Sequence, residues 1–233
     1  MGKLEDEMGK LFGSGQASPP TSSRTYRGPL TALPEGWKTR PEWVQRCVAL
    51  SRLPSETRRA MRLTTFSPTR NGRVVPSLQT ALRVAQEYVR ADTGPPWLIL
   101  NGPRGVGKSH LAIAVAWELV EQGHWAIYYQ VEDLLRELQE IYDRPEGMTI
   151  RERMAQMEMC DVLILDDLGA HKPTDWAEAT LDLLVDYRYL RGLPLVVATN
   201  AEEKNLAPRL ADRLWDVHLG QQVLMKAPSY RRG

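Results

Sequence analysis

The order of apolar and polar residues predicts buried strands that alternate with helices along most of the chain. The predicted strands are nearly continuous apolar runs, at residues 97–100, 126–131, 161–165 and 193–199. Such runs are typical of parallel strands that are covered on both faces, because both sides of each strand then lie in the core. Helices are predicted at residues 77–90, 108–122 and 174–189, and in the stretch after residue 131. The pattern therefore predicts an α/β fold, a parallel sheet with helices on both faces.

The helix predicted at residues 174–189 is amphipathic by its spacing. Its apolar face is predicted to carry Trp176, Ala179, Leu183 and Tyr187, which recur at intervals of three or four residues.

The N-terminal part of the chain differs in composition from the rest. Residues 1–35 include a stretch rich in Gly, Ser, Thr and Pro and are predicted to be a mobile tail. Residues 36–62 predict a small basic arm of two short helices. Because two short helices bury little surface, this arm is expected to lean on a partner or on the main domain. Trp37 and Trp43 lie in it, and a groove on a partner is one interpretation of them.

Charge is distributed unevenly along the 233 residues, although the formal net charge is only +1. Residues 1–75 have a net charge of +7 and residues 76–233 a net charge of −6. A basic arm on an acidic body predicts an anionic partner, such as DNA or an acidic protein surface; a solvated arm without a partner is the alternative. No apolar run is long enough to cross a membrane, and the start lacks the pattern of an export signal. A cytoplasmic protein is therefore predicted.

A glycine-rich segment joins the first predicted strand to its helix and matches the phosphate-loop pattern G-x-x-x-x-G-K-[ST]. Glycines in such a loop let backbone N–H groups surround phosphates, and the start of the helix attracts the same anion. Lys108 is predicted to neutralise the β- and γ-phosphates, and the hydroxyl of Ser109 to bind Mg²⁺. ATP and Mg²⁺ are the predicted cofactors. The predicted nucleotide-binding residues are Gly102, Pro103, Arg104, Gly105, Val106, Gly107, Lys108, Ser109 and His110.

Two aspartates follow the third predicted strand, at the edge of the sheet where the phosphates would lie. Asp166 comes directly after four apolar residues and is assigned to the magnesium ion. Asp167 points to the other side of the pleat and is assigned to orienting the attacking water. Many such ATPases have the longer glutamate there, so hydrolysis by the isolated protein is predicted to be slow, below about 10 per second. The alternative is an aspartate pair that only caps the turn before Gly169.

Separate segments that occur in the same order resemble the AAA+ ATPases of the DnaC/DnaI helicase-loader group and the related IstB transposition helpers. The resemblance covers residues 63–233 and implies an AAA+ ATPase domain there. The family's terminal Ser-Tyr-Arg implies that Arg231 lies near the nucleotide in a sensor-2 role. The matching segments are residues 102–114, 163–170, 193–200 and 209–214, together with Leu63-Thr64-Thr65-Phe66 and Ser229-Tyr230-Arg231.

The same resemblance implies two further catalytic residues. Asn200 would be the polar tip of the sensor-1 strand and would contact the γ-phosphate or the water; an asparagine that only caps the next turn is the alternative. Arg213 would be an arginine finger that acts in trans on the nucleotide of a neighbouring subunit, so that the chain self-associates; Arg209 is the other candidate. An arginine that pairs with Asp212 or Asp216 of its own subunit is the alternative.

Residues 132–160 lie where this family carries an added helix that contacts DNA or a neighbouring subunit. Basic and aromatic residues there favour a route for single-stranded DNA, whereas the acidic residues among them favour an ordinary solvated pair of helices. The residues that favour a DNA route are Arg136, Tyr142, Arg144, Arg151 and Arg153.

Three functions fit these residues. The resemblance implies an ATP-dependent loader of a replicative DNA helicase, whose partners would be the helicase, single-stranded DNA and further copies of the chain. The second is an ATPase helper of a DNA transposase. The third is a nucleotide-stabilised adaptor with little turnover.

Overall fold

A parallel sheet of five strands forms the centre of the computed structural model, which describes residues 39–90, 95–143 and 147–230. Two further short strands pair as an antiparallel hairpin outside the sheet. In chain order the strands are β1 (Thr69–Arg70), β2 (Arg73–Val74), β3 (Trp97–Asn101), β4 (Ala126–Gln130), β5 (Val162–Leu168), β6 (Leu195–Thr199) and β7 (Gly220–Leu224). Across the sheet the order is β4-β5-β6-β3-β7.

Helices cover this sheet on both faces, as the strand order requires. The crossover from β3 to β4 runs in one direction, and those from β4 to β5 and from β5 to β6 run in the other. Because such crossovers are right-handed, the helix between β3 and β4 lies on one face of the sheet, and the helices of the other two crossovers lie on the opposite face. The predicted α/β fold is therefore confirmed. The helices are α1 (Arg40–Leu50), α2 (Thr57–Ala60), α3 (Pro76–Arg90), α4 (Lys108–Glu121), α5 (Val131–Asp143), α6 (Ile150–Met159), α7 (Asp175–Leu190) and α8 (Pro208–Leu214).

Helix α1, in the predicted basic arm, packs on the main domain and adds to its core. The Trp43 side chain is only 3% exposed, and its indole N–H donates to the carbonyl oxygen of Gly123 at 2.6 Å. After α1, the carbonyl oxygen of Ser51 accepts a hydrogen bond at 2.9 Å from the N–H of Tyr128 in β4, so the arm also covers an edge strand. Of the two predicted supports for the arm, the main domain is the one observed, and the interpretation that Trp43 occupies a groove on a partner is wrong because its own domain buries it. Trp37 lies outside the described residues.

The predicted apolar face of α7 is also wrong. Leu183 is 67% exposed and Trp176 is 42% exposed, while Leu181 and Leu184 are buried. Apolar residues occur on both sides of this helix, so their spacing alone does not choose the inner face. The buried Arg188 helps to choose it: its guanidinium donates to the carbonyl oxygens of neighbouring segments, including those of Met157, Cys160 and Pro194.

Several elements have no counterpart in the sequence prediction. The strand β7 reads as a mixed polar segment, Gly-Gln-Gln-Val-Leu, yet it pairs with β3 along its whole length. The hairpin β1–β2 was also not predicted, whereas α5 and α6 form a pair of helices such as the alternative for residues 132–160 described. None of the helices within residues 39–90, 95–143 and 147–230 is both long and apolar enough to span a membrane.

Candidate nucleotide site

The phosphate loop lies at the carboxyl edge of the sheet, between β3 and the first turn of α4. Gly107 precedes the helix with φ +110°, and Gly105 has φ +80°, both backbone conformations that favour glycine. Within the described part of the chain, the N–H groups of Arg104, Gly105 and Gly107 donate no hydrogen bond. Unpaired backbone donors at the start of a buried helix form a site for an anion. The loop therefore fits the phosphates that the sequence predicts there.

Lys108 lies inside this loop. Its ammonium donates to the carbonyl oxygens of Gly102 at 2.8 Å and of Pro103 at 2.9 Å. Burial lowers the pKa of Lys108, while the nearby carboxylates of Asp167 and Asp166 raise it. A positive charge that is held in a partly dry loop attracts an anion more strongly than one in water, because the local dielectric is lower.

Asp166 meets the phosphate loop from the end of β5. Its Oδ1 accepts a hydrogen bond from the Ser109 hydroxyl at 3.0 Å, and its Oδ2 accepts one from the Tyr128 hydroxyl at 2.9 Å. The residue is 2% exposed, and burial raises the pKa of its carboxyl group against the opposing effect of these hydrogen bonds. A hydroxyl and a carboxylate within hydrogen-bond distance are the oxygen ligands that Mg²⁺ prefers. The two predicted metal ligands are thus brought together.

Tyr128 is the residue of this site that the sequence analysis missed. It lies in β4, next to β5 in the sheet, and is paired with Ile164 in the strand register. Its ring is buried, so no water replaces the bond from its hydroxyl to Asp166. Nothing in the local sequence separates this tyrosine from Tyr129, whose hydroxyl donates to Glu137 instead. The only available signal was strand alternation, which places the side chains of Tyr128 and Tyr129 on opposite faces of β4 without saying which one meets Asp166.

Asp167 differs from its neighbour in backbone and exposure. It has φ +58°, which is uncommon for a residue with a side chain, and the register between β5 and β6 is interrupted between Leu165 and Leu168. Its N–H donates to Asp166 Oδ1 at 2.9 Å, while its own side chain is exposed. The interruption turns the carboxylate of Asp167 away from the sheet at its carboxyl edge. Its predicted role with the water stays a prediction.

Asn200 follows β6 at the same edge of the sheet. Its Oδ1 is buried and has no hydrogen-bond partner within the described residues. The preceding Thr199 is fully buried, and its hydroxyl donates to the carbonyl oxygen of Leu168 and accepts from the N–H of Ala201. Thr199, rather than Asn200, therefore satisfies the turn after β6. A buried oxygen without a partner needs a donor, and a bound water or ligand group at this edge would supply it.

Three segments from other parts of the chain brace the outside of the loop. A Cβ atom on Gly107 would lie 2.7 Å from the ring of Phe66, and one on Gly105 would lie 2.1 Å from the hydroxyl of Ser229. Arg70, in the hairpin β1–β2, donates to the carbonyl oxygen of Val106 at 3.0 Å and stacks over the Tyr230 ring. The glycines are thus required by close packing as well as by their dihedral angles.

Of two further predicted nucleotide contacts, His110 and Arg231, the structure describes only His110. The Nε2 atom of His110 lies 3.0 Å from the carbonyl oxygen of Arg62, and its ring packs edge-on against Phe66. His110 therefore ties the segment before the hairpin to α4. Arg231 lies outside the described residues, although the N–H of the adjacent Tyr230 donates to the carbonyl oxygen of Gly105 at 2.8 Å.

Arg213 is far from the phosphate loop of its own chain. Its guanidinium lies over the ring of Tyr189, and that ring contacts the ring of Trp97, the first residue of β3. The phosphate loop follows Asn101, the last residue of the same strand. At about 3.3 Å per residue, the two ends of β3 are about 13 Å apart. Arg213 pairs with Asp212 of its own helix and with Asp186 of α7, so the predicted alternative of pairing within the subunit is present in the structure.

The helices α5 and α6 carry few free arginines. Arg153 pairs with Glu137 at 2.8 Å, and Arg136 pairs with Asp133. Arg151 and Tyr142 are exposed, and Arg144 lies outside the described residues. Two of the basic residues in the predicted DNA route are therefore neutralised by acidic neighbours, and the DNA contact stays a prediction.

Comparisons with known proteins agree with the fold and with nucleotide binding. A curated relative is the replicative helicase loader DnaC of Escherichia coli, 26% identical over 155 residues, which are 65% of this chain and 63% of the relative. Another is an ATP-binding protein in an insertion sequence of Mycobacterium tuberculosis, 33% identical over 144 residues, 58% of this chain and 55% of the relative. The chain thus spans less than two thirds of the length of these relatives.

Solved structures show the same architecture. The crystal structure of DnaI superimposes with a TM-score of 0.60 at 24% sequence identity, and the match covers 79% of this chain and 98% of that one. A family model described as IstB-like ATP binding protein matches residues 44–232. It begins within α1, which agrees with the packing of this helix on the main domain. The predicted AAA+ core with a phosphate loop is confirmed, and the chain belongs to the family of IstB-like ATP binding proteins.

Proposed function

We propose that the chain is a magnesium-dependent ATPase that helps to load a replicative DNA helicase onto single-stranded DNA. The observation that carries the ATPase proposal is the contact of Ser109 with Asp166 beside a loop of unpaired backbone N–H groups. A metal–triphosphate complex needs a site for its phosphates and hard oxygen ligands for its metal ion. The loop supplies the first, and two oxygen atoms that lie 3.0 Å from each other, Ser109 Oγ and Asp166 Oδ1, supply the second.

In this proposal each residue of the site holds or orients one group. Lys108 and the N–H groups of the loop bind the β- and γ-phosphates, and Ser109 and Asp166 hold the metal ion. When bound, Mg²⁺ would neutralise charge that develops on the phosphate oxygens. Asp167 and the unpaired Oδ1 of Asn200 orient the attacking water. The exposure of Asp167 fits slow hydrolysis by the isolated chain, because an exposed carboxylate is not held in one orientation.

Arg213 acts in this proposal on the nucleotide of a neighbouring copy. Its position near the amino end of β3, away from its own phosphate loop, supports action in trans rather than in cis. A guanidinium that reaches the γ-phosphate of another subunit stabilises the transition state and links hydrolysis to assembly.

The loading role rests on the likeness to DnaC and DnaI. Both are named as replicative helicase loaders, and the likeness extends over 155 residues for DnaC and 104 residues for DnaI. A second function is favoured by a different observation: relatives from insertion sequences are 33% and 35% identical, above the 26% of DnaC. The second candidate is therefore an ATPase that assists a DNA transposase. A nucleotide-stabilised adaptor with little turnover is the third.

One binding experiment tests the nucleotide proposal. The affinity for a non-hydrolysable ATP analogue is measured by calorimetry with and without Mg²⁺ for the wild type, Lys108→Ala and Lys172→Ala. We expect magnesium-dependent binding that Lys108→Ala abolishes and Lys172→Ala leaves intact, because Lys172 is exposed beyond the end of β5. An affinity that does not depend on Mg²⁺ or on Lys108 would contradict the proposal.

A second experiment separates the partners. The chain is mixed with a replicative helicase or with a transposase from an adjacent gene, and particle masses are measured with ATP, with and without single-stranded DNA. A complex with the helicase that requires ATP supports loading, and one with the transposase supports the second candidate. A partner complex that Lys108→Ala forms equally well identifies the adaptor.

A further inference from the structure

Two arginines of α8 converge on one buried carboxylate of α7. Oδ1 of Asp186 accepts a hydrogen bond from Nε of Arg213 at 3.1 Å, and Oδ2 accepts one from Nη2 of Arg209. Asp186 is buried, while the Arg209 side chain is mostly exposed. Each carboxylate oxygen thus has one arginine, and the helices α7 and α8 are joined at this point.

The contact with Asp186 leaves the outer edge of Arg213 available. Asp186 binds Arg213 through Nε, the nitrogen nearest to the backbone, and the exposed Asp212 accepts from Nη1 at 3.2 Å. Within the described residues, none accepts a hydrogen bond from Nη2. A guanidinium that is held by Nε keeps its terminal nitrogens for an external oxyanion, because its donors lie in a rigid planar fork.

An aromatic ring supports the face of the same guanidinium. The Arg213 Cζ atom lies 4.2 Å from the centre of the Tyr189 ring, a cation–π contact. The Tyr189 hydroxyl donates to Asp216 at 2.6 Å, and the edge of its ring contacts Trp97 in the core. The Tyr189 ring is therefore held at its hydroxyl and at its edge. Because the Arg213 guanidinium lies over this ring, the ring limits the movement of the guanidinium toward it.

A free arginine side chain loses about 2 kcal/mol of rotamer entropy when one orientation is fixed. Here Asp186 and Tyr189 have fixed part of that orientation before another subunit approaches. Groups that are oriented in advance add most to a transition-state contact, since no ordering remains when the reaction occurs.

We propose that Asp186 is a positioning residue, which holds the Arg213 guanidinium by its Nε so that Nη1 and Nη2 meet the nucleotide of a neighbouring copy. This inference rests on the proposed ATPase function and on the action of Arg213 in trans. Asp186 itself touches neither nucleotide, so its effect is on kcat in the assembly and not on the KM for ATP.

Assemblies of two different variants test this role, because the arginine and the nucleotide site that it acts on then belong to different subunits. Acceptor subunits carry Arg213→Ala and have an intact phosphate loop. Donor subunits carry Lys108→Ala, so they supply only their arginine. Donors are titrated over acceptors on single-stranded DNA, and the rate of ATP hydrolysis is measured. We expect Lys108→Ala donors to restore turnover, and donors that also carry Asp186→Asn to restore about a tenth of it at an unchanged KM, as for the loss of one charge-assisted hydrogen bond.

The matched control is a donor with Asp212→Asn, which makes the same chemical change at the exposed partner of Arg213. It should restore turnover to within about twofold, because an exposed ion pair contributes little. Donors with Asp186→Asn that restore full turnover would overturn the inference and leave the ATPase proposal standing. If Lys108→Ala donors themselves restore nothing, the action of Arg213 in trans fails, and the inference fails with it.

Stability is measured on every donor by thermal unfolding. If Asp186→Asn donors unfold below the assay temperature, Tyr189→Leu is compared with Tyr189→Phe in the same donors. Phenylalanine keeps the ring under Arg213 and should restore turnover, whereas leucine should restore several-fold less. Equal restoration by the two variants would also overturn the inference.

Discussion

The hydroxyl of Tyr128 is expected to matter for magnesium although it lies behind the predicted metal ligand. Tyr128→Phe removes the hydroxyl that donates to Asp166 Oδ2 at 2.9 Å and keeps the aromatic ring. Because the ring and the carboxylate are both buried, no water takes the place of the hydroxyl. Oδ2 of Asp166 is then left without a partner, and only the two donors on Oδ1, the Ser109 hydroxyl and the N–H of Asp167, still orient the carboxylate.

Two magnitudes follow from this loss. A hydrogen bond to a buried charged group contributes about 1.5–3 kcal/mol, so the unfolding temperature should fall by several degrees, at about 2–4 °C per kcal/mol for a chain of this size. Loss of a group that orients a metal ligand typically costs about 10- to 100-fold in metal affinity or activity. We expect the Mg²⁺ concentration for half-maximal ATP hydrolysis to rise by at least about tenfold, because the second oxygen of the carboxylate is no longer held in place.

The assay is a magnesium titration of ATP hydrolysis at saturating nucleotide, with Tyr129→Phe as the matched control. Tyr129 is the next residue of β4 and is equally buried, but its hydroxyl donates to Glu137 at 3.0 Å, on the other side of the strand. This control should lose comparable stability and keep the wild-type magnesium dependence. If Tyr128→Phe also keeps it, Asp166 does not need Tyr128 for its orientation, and the reasoning from the hydrogen bond is refuted.

Two further substitutions test the loop and the packed arm. Gly107→Ala should destabilise the fold by at least about 2 kcal/mol and abolish nucleotide binding, because its φ is +110° and a Cβ would lie 2.7 Å from the Phe66 ring. The control is Gly192→Ala, at a glycine with φ +60° where a Cβ would meet nothing within 4 Å. It should cost only about 1 kcal/mol. Trp43→Ala should lower the free energy of unfolding by about 3–5 kcal/mol, measured with denaturant, whereas Leu190→Ala, at a site 72% exposed, should change it by less than about 0.5 kcal/mol. Nucleotide affinity that survives Gly107→Ala, or a Trp43→Ala variant as stable as Leu190→Ala, would contradict these expectations.

The predicted site residues that the structure brings together are those whose positions depend on neighbours in the chain. The phosphate loop needs its glycines and Lys108 within a few residues of each other, directly after one strand and before one helix. Asp166 ends an uninterrupted apolar run, and the edge of a parallel sheet places it beside the loop. In each case the local pattern and the sheet geometry lead to the same position, so no long-range information is required.

The contacts that the sequence does not predict join residues that are distant in the chain. Tyr128 reaches Asp166 across a strand pair, and Arg70 reaches the loop from a hairpin about 36 positions earlier. The partner of Arg213 was sought near it on α8, but the buried partner, Asp186, lies on α7. Spacing within one element carries no information about which element will pack against it, so such pairs become visible only in the fold.

The two errors about buried surface have one physical cause. A partner groove was one interpretation of Trp43 because an isolated pair of short helices has little core, and the outer face of α7 was expected to be buried because it is apolar. Burial is decided by what lies opposite: α1 faces α4 and the edge of β4, while Leu183 faces nothing in the described part of the chain. The inner side of α7 is chosen instead by the polar Asp186 and Arg188, whose partners are fixed groups on α8 and on the segments around β5 and β6. On this helix the buried polar residues, which are costly to leave unpaired, share the inner face with Leu181, Leu184 and Val185 and add to what determines the orientation.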